Sequence, residues 1–119
     1  MPILIILAKK LPASGMDYMN SIIDAVPNVS VITKIEVLGF NAPEEHSQLL
    51  VNFMNDATVL DLTSNVVDAS IDVRKKHKTK LPDTIIAATA LVHGLVLITR
   101  NKADFKNISG LQSIDPYNI

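Results

Sequence analysis

Three carboxylates stand where a sequence of this kind can do chemistry. Glu36 lies one helical turn past the apolar, β-branched stretch at 29–32. Asp83 opens a strongly apolar stretch, and Asp104 lies five residues past the end of another at 95–99. Carboxylates gathered in one cleft repel one another, so a divalent cation is their natural partner. Oxygen ligands without cysteine or histidine favour Mg2+ or Mn2+ over zinc. Such an ion activates water and steadies a charged phosphoryl group. His46, His77 and His93 share no metal-ligating spacing, and His93 before Gly94 reads as a helix C-terminal residue.

Each acid also has a purely structural reading. Thr33 and Glu36 match a capping box, with Thr33 opening a helix. Asp83 after Pro82 suits a helix N-terminus through the dipole. Asn101 and Asp104 form a cap-like pair. Five of the eleven basic residues, Arg74, Lys75, Lys76, Lys78 and Lys80, crowd into seven positions. They read either as a solvated helix end or as an RNA backbone contact beside the acids, assisted by Arg100 and Lys102.

The elements that must position these groups alternate. Residues 3–11 are apolar and then basic, a short strand or the start of a helix. Met16, Met19, Ile22, Ile23 and Val26 follow helical spacing, and Pro27-Asn28 stops that helix. A strand is expected over 29–32, then a helix opened by Thr33. A second helix starts at Glu44 and Glu45 and carries Leu49, Leu50, Phe53 and Met54. A strand over 58–62 leads to a cap at Thr63 or Ser64 and a helix with Val67, Ile71 and Arg74. The apolar helix from Asp83 ends at Gly94. A strand over 95–99, a capped turn at 101–105 and a short strand over 111–114 complete the order. This alternation predicts an α/β fold with a mainly parallel sheet, whose function sits beyond the carboxyl ends of the strands.

Composition narrows the function further. The 119 residues fit one domain, 1–119. With no cysteine, disulfide scaffolds, thiol nucleophiles and zinc-thiolate sites are excluded, and a cytoplasmic location is the simplest reading. The formal charge of −1 rules out a bulk polycation, so nucleic-acid affinity must come from a local patch. Only 4% of residues are aromatic, too few for base stacking to dominate. The apolar run at 3–8 is far too short to span a membrane. Lysines follow it rather than precede it, the wrong order for a signal peptide. No nucleophile elbow or glycine-rich phosphate loop is present.

The block Leu81-Pro82-Asp83-Thr84-Ile85-Ile86-Ala87-Ala88-Thr89-Ala90, then Gly94, then Leu97-Ile98-Thr99-Arg100-Asn101-Lys102-Ala103-Asp104-Phe105, resembles the C-terminal half of PIN domains. The similarity is strongest to the toxin ribonucleases of type II toxin–antitoxin systems, the VapC type. Val31-Ile32-Thr33-Lys34-Ile35-Glu36-Val37-Leu38-Gly39 is similar to the family's second motif. The resemblance covers roughly 29–119. It implies a three-layer α/β/α fold, metal-dependent cleavage of RNA, a cognate antitoxin and a homodimer. It places the family's metal-binding acids on Glu36, Asp83 and Asp104, and its hydroxyl and amide near the metal on Thr99 and Asn101.

One departure is plain. The family's first strand ends in Asp-Thr-Asn or similar, and that Asp is its first metal ligand, yet no acid precedes Asp17 here. The central strand is therefore expected to be missing or altered. Its neighbours must then close the gap, recruit residues 3–7 or pair with another chain. Two functions follow: a Mg2+- or Mn2+-dependent endoribonuclease impaired by the loss of that Asp, or a catalytically inactive PIN scaffold that binds RNA or an antitoxin-like protein. The homodimer is expected to use the helices around 16–26 and 49–54.

Overall fold

The structure, a computed structural model, describes residues 6–8, 27–41, 43–99 and 101–115. The expected helix at 16–26, and Arg100, lie outside the described residues. The elements in chain order are β1 (Ile6–Ala8), β2 (Asn28–Ser30), α1 (Val31–Leu38), α2 (Glu44–Asp56), β3 (Thr58–Leu60), α3 (Ser64–Lys76), α4 (Leu81–His93), β4 (Val96–Ile98), a 3-10 turn (Lys102–Asp104) and β5 (Ser113–Ile114).

The strands form one sheet in the order β3-β2-β1-β4-β5. β2 runs parallel to β3, and β4 parallel to β5. β1 is antiparallel to both of its neighbours, β2 and β4. Four strands thus point one way, and the sheet is mainly parallel with a reversed strand at its centre. That central strand is formed by the N-terminal apolar residues Ile6–Ala8. Ile6, Leu7 and Ala8 pair with Ile98, Leu97 and Val96, which gives β4 a partner on each side.

Consecutive residues of a strand face opposite sides of the sheet, and β3 shows the consequence. Val59 packs against a cluster of Val29, Val37 and Met54, whereas Leu60 packs against Val73, Ile86, Ala87, Ala90, Leu97, Phe105 and Ile108. The sheet therefore has a hydrophobic layer on each face, and the fold is three-layered α/β/α. α4 buries Thr84, Ile86, Ala87, Ala88, Thr89 and Ala90, which span nearly its whole circumference, as a helix enclosed on most sides must. Its small residues let neighbours approach closely. Its threonines satisfy themselves locally: Thr84 and Thr89 donate to the carbonyls of Lys80 and Ile85 at 3.0 and 2.7 Å.

Several boundaries differ from the sequence expectation for identifiable reasons. β2 stops at Ser30 rather than at 32, because the Ser30 hydroxyl accepts the Ile32 amide at 3.1 Å and starts α1 there. Thr33 is thus inside the helix, and the capping box with Glu36 does not form. Thr63, not Ser64, caps α3, accepting the Val66 amide at 3.3 Å. Gly94 ends α4 in the left-handed conformation with φ 64°, where a side chain would be strained. No helix among the described residues is long and apolar enough to cross a membrane.

Candidate metal and nucleic-acid site

α4 starts after an extended Lys80, with Pro82 and Asp83 in its first turn. Proline there sacrifices no hydrogen bond, and Asp83 gains from the helix dipole. Asp104 arrives from the other side of the chain. β4 delivers Thr99, whose backbone amide donates to the Ile114 carbonyl at 2.9 Å. The buried Thr99 hydroxyl accepts the Asn101 amide at 3.0 Å and so turns the chain. The 3-10 turn follows, and the Asn101 side-chain amide donates to the Asp104 carboxylate. Phe105, 1% exposed, anchors the turn in the core.

Asp83 and Asp104 line one cleft of about 450 Å³, together with Lys76, His77, Lys78, Thr79, Lys80, Ala103, Asn107 and Ile108. The Asp83 carboxyl is pushed above its ordinary pKa, first by burial and then by the charge of Asp104, with Lys80 opposing. The cleft therefore combines two acids that repel each other with a wall of cations.

Glu36 is not among the lining residues. It is exposed on α1, and its charge is not among the influences on Asp83. No group of three or more acidic, histidine or cysteine side chains able to hold a metal occurs among the described residues. The structure brings Asp83 and Asp104 to one cleft, with Asn101 hydrogen-bonded to Asp104, and Glu36 does not line that cleft. Two carboxylates suit a hard divalent cation that retains much of its water, as magnesium does. A cation would relieve the repulsion from Asp104 that adds to burial in raising the Asp83 pKa, and two carboxylate ligands with water suit such an ion.

The basic run divides. Lys76, Lys78 and Lys80 line the acid cleft, whereas Arg74 and Lys75 border a separate apolar groove with Leu62, Val67, Ile71, Leu81 and Ile85. Arg74 donates to the Thr79 carbonyl at 3.0 Å, which ties the end of α3 to the segment before α4. Lys76 pairs with Asp72 at 3.2 Å, one turn back on an exposed face. Lys102 is exposed on the 3-10 turn and does not line the cleft. Sequence reasoning missed His77, Thr79 and Asn107 as wall residues. The signal was there for the first two: a four-residue connection ending at an acid-bearing helix must wall that acid's site.

A family model for the PIN domain matches residues 21–111. The chain belongs to the PIN-domain family. PIN domains of the VapC type are generally nucleases, and PIN-domain nucleases generally use divalent metals. Among solved structures, a toxin–antitoxin complex from Klebsiella pneumoniae is 34% identical over 84% of this chain and 84% of that one, with a TM-score of 0.65. A DNA-bound VapBC from Salmonella typhimurium is 24% identical, covering 88% of this PIN domain and 86% of that chain, with a TM-score of 0.72. VapBC2 from Rickettsia felis, bound to a promoter DNA fragment, is 20% identical over 83% and 84%, with a TM-score of 0.68. The last two show the fold alone. No curated protein matches the chain.

Proposed function

We propose that this PIN domain is a metal-dependent endoribonuclease of the toxin type, with its chemistry centred on Asp83 and Asp104. The observation that carries the reading is the convergence of these two acids in one cleft with Lys78 and Lys80 on its wall. A bound Mg2+ or Mn2+ ion supplies activation of water and neutralisation of phosphoryl charge. Asp83 and Asp104 hold it, and Asn101 orients the Asp104 carboxylate. Lys76, Lys78 and Lys80 attract the RNA backbone and position a phosphodiester beside the acids. Thr99 acts from beneath, by holding the turn that presents Asn101.

Two observations favour slow chemistry. β1 consists of Ile6, Leu7 and Ala8 and brings no carboxylate to the centre of the sheet, and Glu36 lies outside the cleft. They also support the second reading, an inactive scaffold that binds RNA or an antitoxin-like protein. The partner reading draws on the 34% identical neighbour, a toxin–antitoxin complex, and on the exposed Leu62, Val67, Ile71 and Leu81. A homodimer is proposed to use α2 around 49–54, where Leu49 is exposed although Met54 is buried in the core, and sedimentation tests it.

The deciding assay is cleavage of a single-stranded RNA with Mn2+. The nuclease reading expects slow, metal-dependent cleavage that disappears in Asp83→Asn. RNA binding with no cleavage under any divalent ion leaves the scaffold.

A further inference from the structure

Residues 77–80 join α3 to α4, and this connection walls the cleft with Lys78 and Lys80. Both of its ends are held by the helices. The His77 amide donates to the Val73 carbonyl at 2.9 Å, and the Lys80 carbonyl receives the Thr84 amide and hydroxyl at 2.9 and 3.0 Å. Between those points Arg74 reaches out of α3, and its Nη1 donates to the Thr79 carbonyl at 3.0 Å. His77 and Lys80 are extended, with φ and ψ of −136° and 143° and of −63° and 147°. Exposure alternates along the connection: His77 and Thr79 are partly buried, and Lys78 and Lys80 are exposed. Successive residues of an extended chain point to opposite sides, so Lys78 and Lys80 share a side. Fixing Thr79 between them fixes the direction of both. Arg74 itself borders the apolar groove with Leu62, Ile71 and Leu81 and is not part of the cleft lining.

We propose that Arg74 is a positioning residue for nucleic-acid binding: without touching RNA, it holds the 77–80 connection so that Lys78 and Lys80 meet the phosphates already arranged. The inference rests on the reading of those lysines as RNA backbone contacts and deepens it, and it does not depend on the metal ion. A loose connection must be ordered when RNA binds, and that ordering subtracts from the affinity. A guanidinium on a backbone carbonyl is a charge-assisted bond, stronger than a neutral one, and it orders the connection in advance. The residue type fits the role. Arg74 is the single arginine among the five cations at 74–80, and a planar guanidinium loses less freedom for each hydrogen bond it forms than a mobile ammonium does. Because the bond is exposed, water competes for it, and its effect on affinity is moderate.

The test is binding of a single-stranded RNA, read by fluorescence anisotropy across a salt series without divalent ions, so that no cleavage intrudes. Glutamine keeps the helix propensity of α3, and melting curves check that each variant is folded. Arg74→Gln is expected to weaken binding about threefold or more, with the slope of log affinity against log salt unchanged. Lys75→Gln removes the same charge one residue along and is expected to change affinity less. In a Lys78→Gln, Lys80→Gln double variant, adding Arg74→Gln is expected to have almost no further effect, since the groups it positions are gone. A slope reduced by about one in Arg74→Gln makes Arg74 a phosphate contact and overturns the positioning role. Equal losses in Arg74→Gln and Lys75→Gln overturn it too, because charge alone then accounts for them. So does an equal loss from Arg74→Gln with and without Lys78 and Lys80. Wild-type affinity in Arg74→Gln overturns the role while leaving the lysines as RNA contacts. Failure of the wild type to bind RNA overturns the reading of the lysines and this inference with it.

Discussion

Asp104 faces Asp83 across one cleft, and its negative charge adds to burial in holding the Asp83 proton. The two residues reach that point by different routes. One opens a helix buried on most sides, and the other ends a 3-10 turn hung from the residue that follows a strand. Neither can retreat, because α4 is packed in the core and Phe105 pins the turn. A cation between them would relieve the repulsion that the fold imposes.

This pair makes stability depend on pH in a direction opposite to that of a salt-bridged acid. The folded-state pKa of Asp83 lies above its ordinary value of 3.8. Between the two values the native state binds more protons than the unfolded chain, so stability falls as pH rises through that window. Asp83→Asn is expected to remove this loss and raise the melting temperature of the metal-free protein at neutral pH. The gain is no more than about 1 kcal/mol, because solvent screens a partly exposed carboxylate. Added Mn2+ is expected to stabilise the wild type and not the variant. Thermal melts from acid to neutral pH, with and without Mn2+, check both; a lower metal-free melting temperature for the variant counts against the repulsion.

The division of the basic run predicts a division in RNA binding. Replacing Lys78 and Lys80 by glutamine is expected to weaken binding and to reduce the slope of log affinity against log salt by about one for each phosphate no longer neutralised. Replacing Arg74 and Lys75 is expected to leave that slope unchanged, although Arg74→Gln loosens the connection at 77–80. Affinities measured across a salt series distinguish the pairs. Equal slope changes in both would mean that RNA follows the whole run.

The approach of Asp83 and Asp104 to one cleft was legible in the sequence, because both are tied to strong local signals. Proline and a first-turn acid mark the start of α4, and an apolar strand followed by Asn101 marks the turn. The exposed position of Glu36, outside the lining of that cleft, was not legible in the same way. Thr33 has the look of a cap, but Ser30 takes that role, so α1 begins earlier and Glu36 falls on its exposed side. The direction of β1 was also hidden, since three apolar residues carry no sign of which way they pair. The basic run read as one patch because charge ignores where a helix ends. α3 stops at Lys76, so Arg74 and Lys75 stay with its outer groove, while residues 77–80 leave the helix along the cleft.

The reversed central strand predicts a gain of function. β1 fills the centre with Ile6, Leu7 and Ala8, none of which ligates a metal. A chain carrying an added strand that ends in Asp-Thr-Asn, joined ahead of Met1, is expected to displace β1 and run parallel to β2 and β4. A third carboxylate then reaches the site, and Mn2+-dependent cleavage of RNA is expected to rise by about tenfold or more. Equal, robust cleavage by both chains, lost in Asp83→Asn, would show that this carboxylate is dispensable here.

In the proposed nuclease, Asp83 and Asp104 together hold a divalent cation. Anomalous scattering from crystals grown with Mn2+ tests it most directly. A manganese peak bonded to carboxylate oxygens of both residues, and absent in Asp83→Asn, is the predicted result. A peak at Glu36 or elsewhere with Asp83 and Asp104 unliganded, or no bound manganese at all, would contradict it.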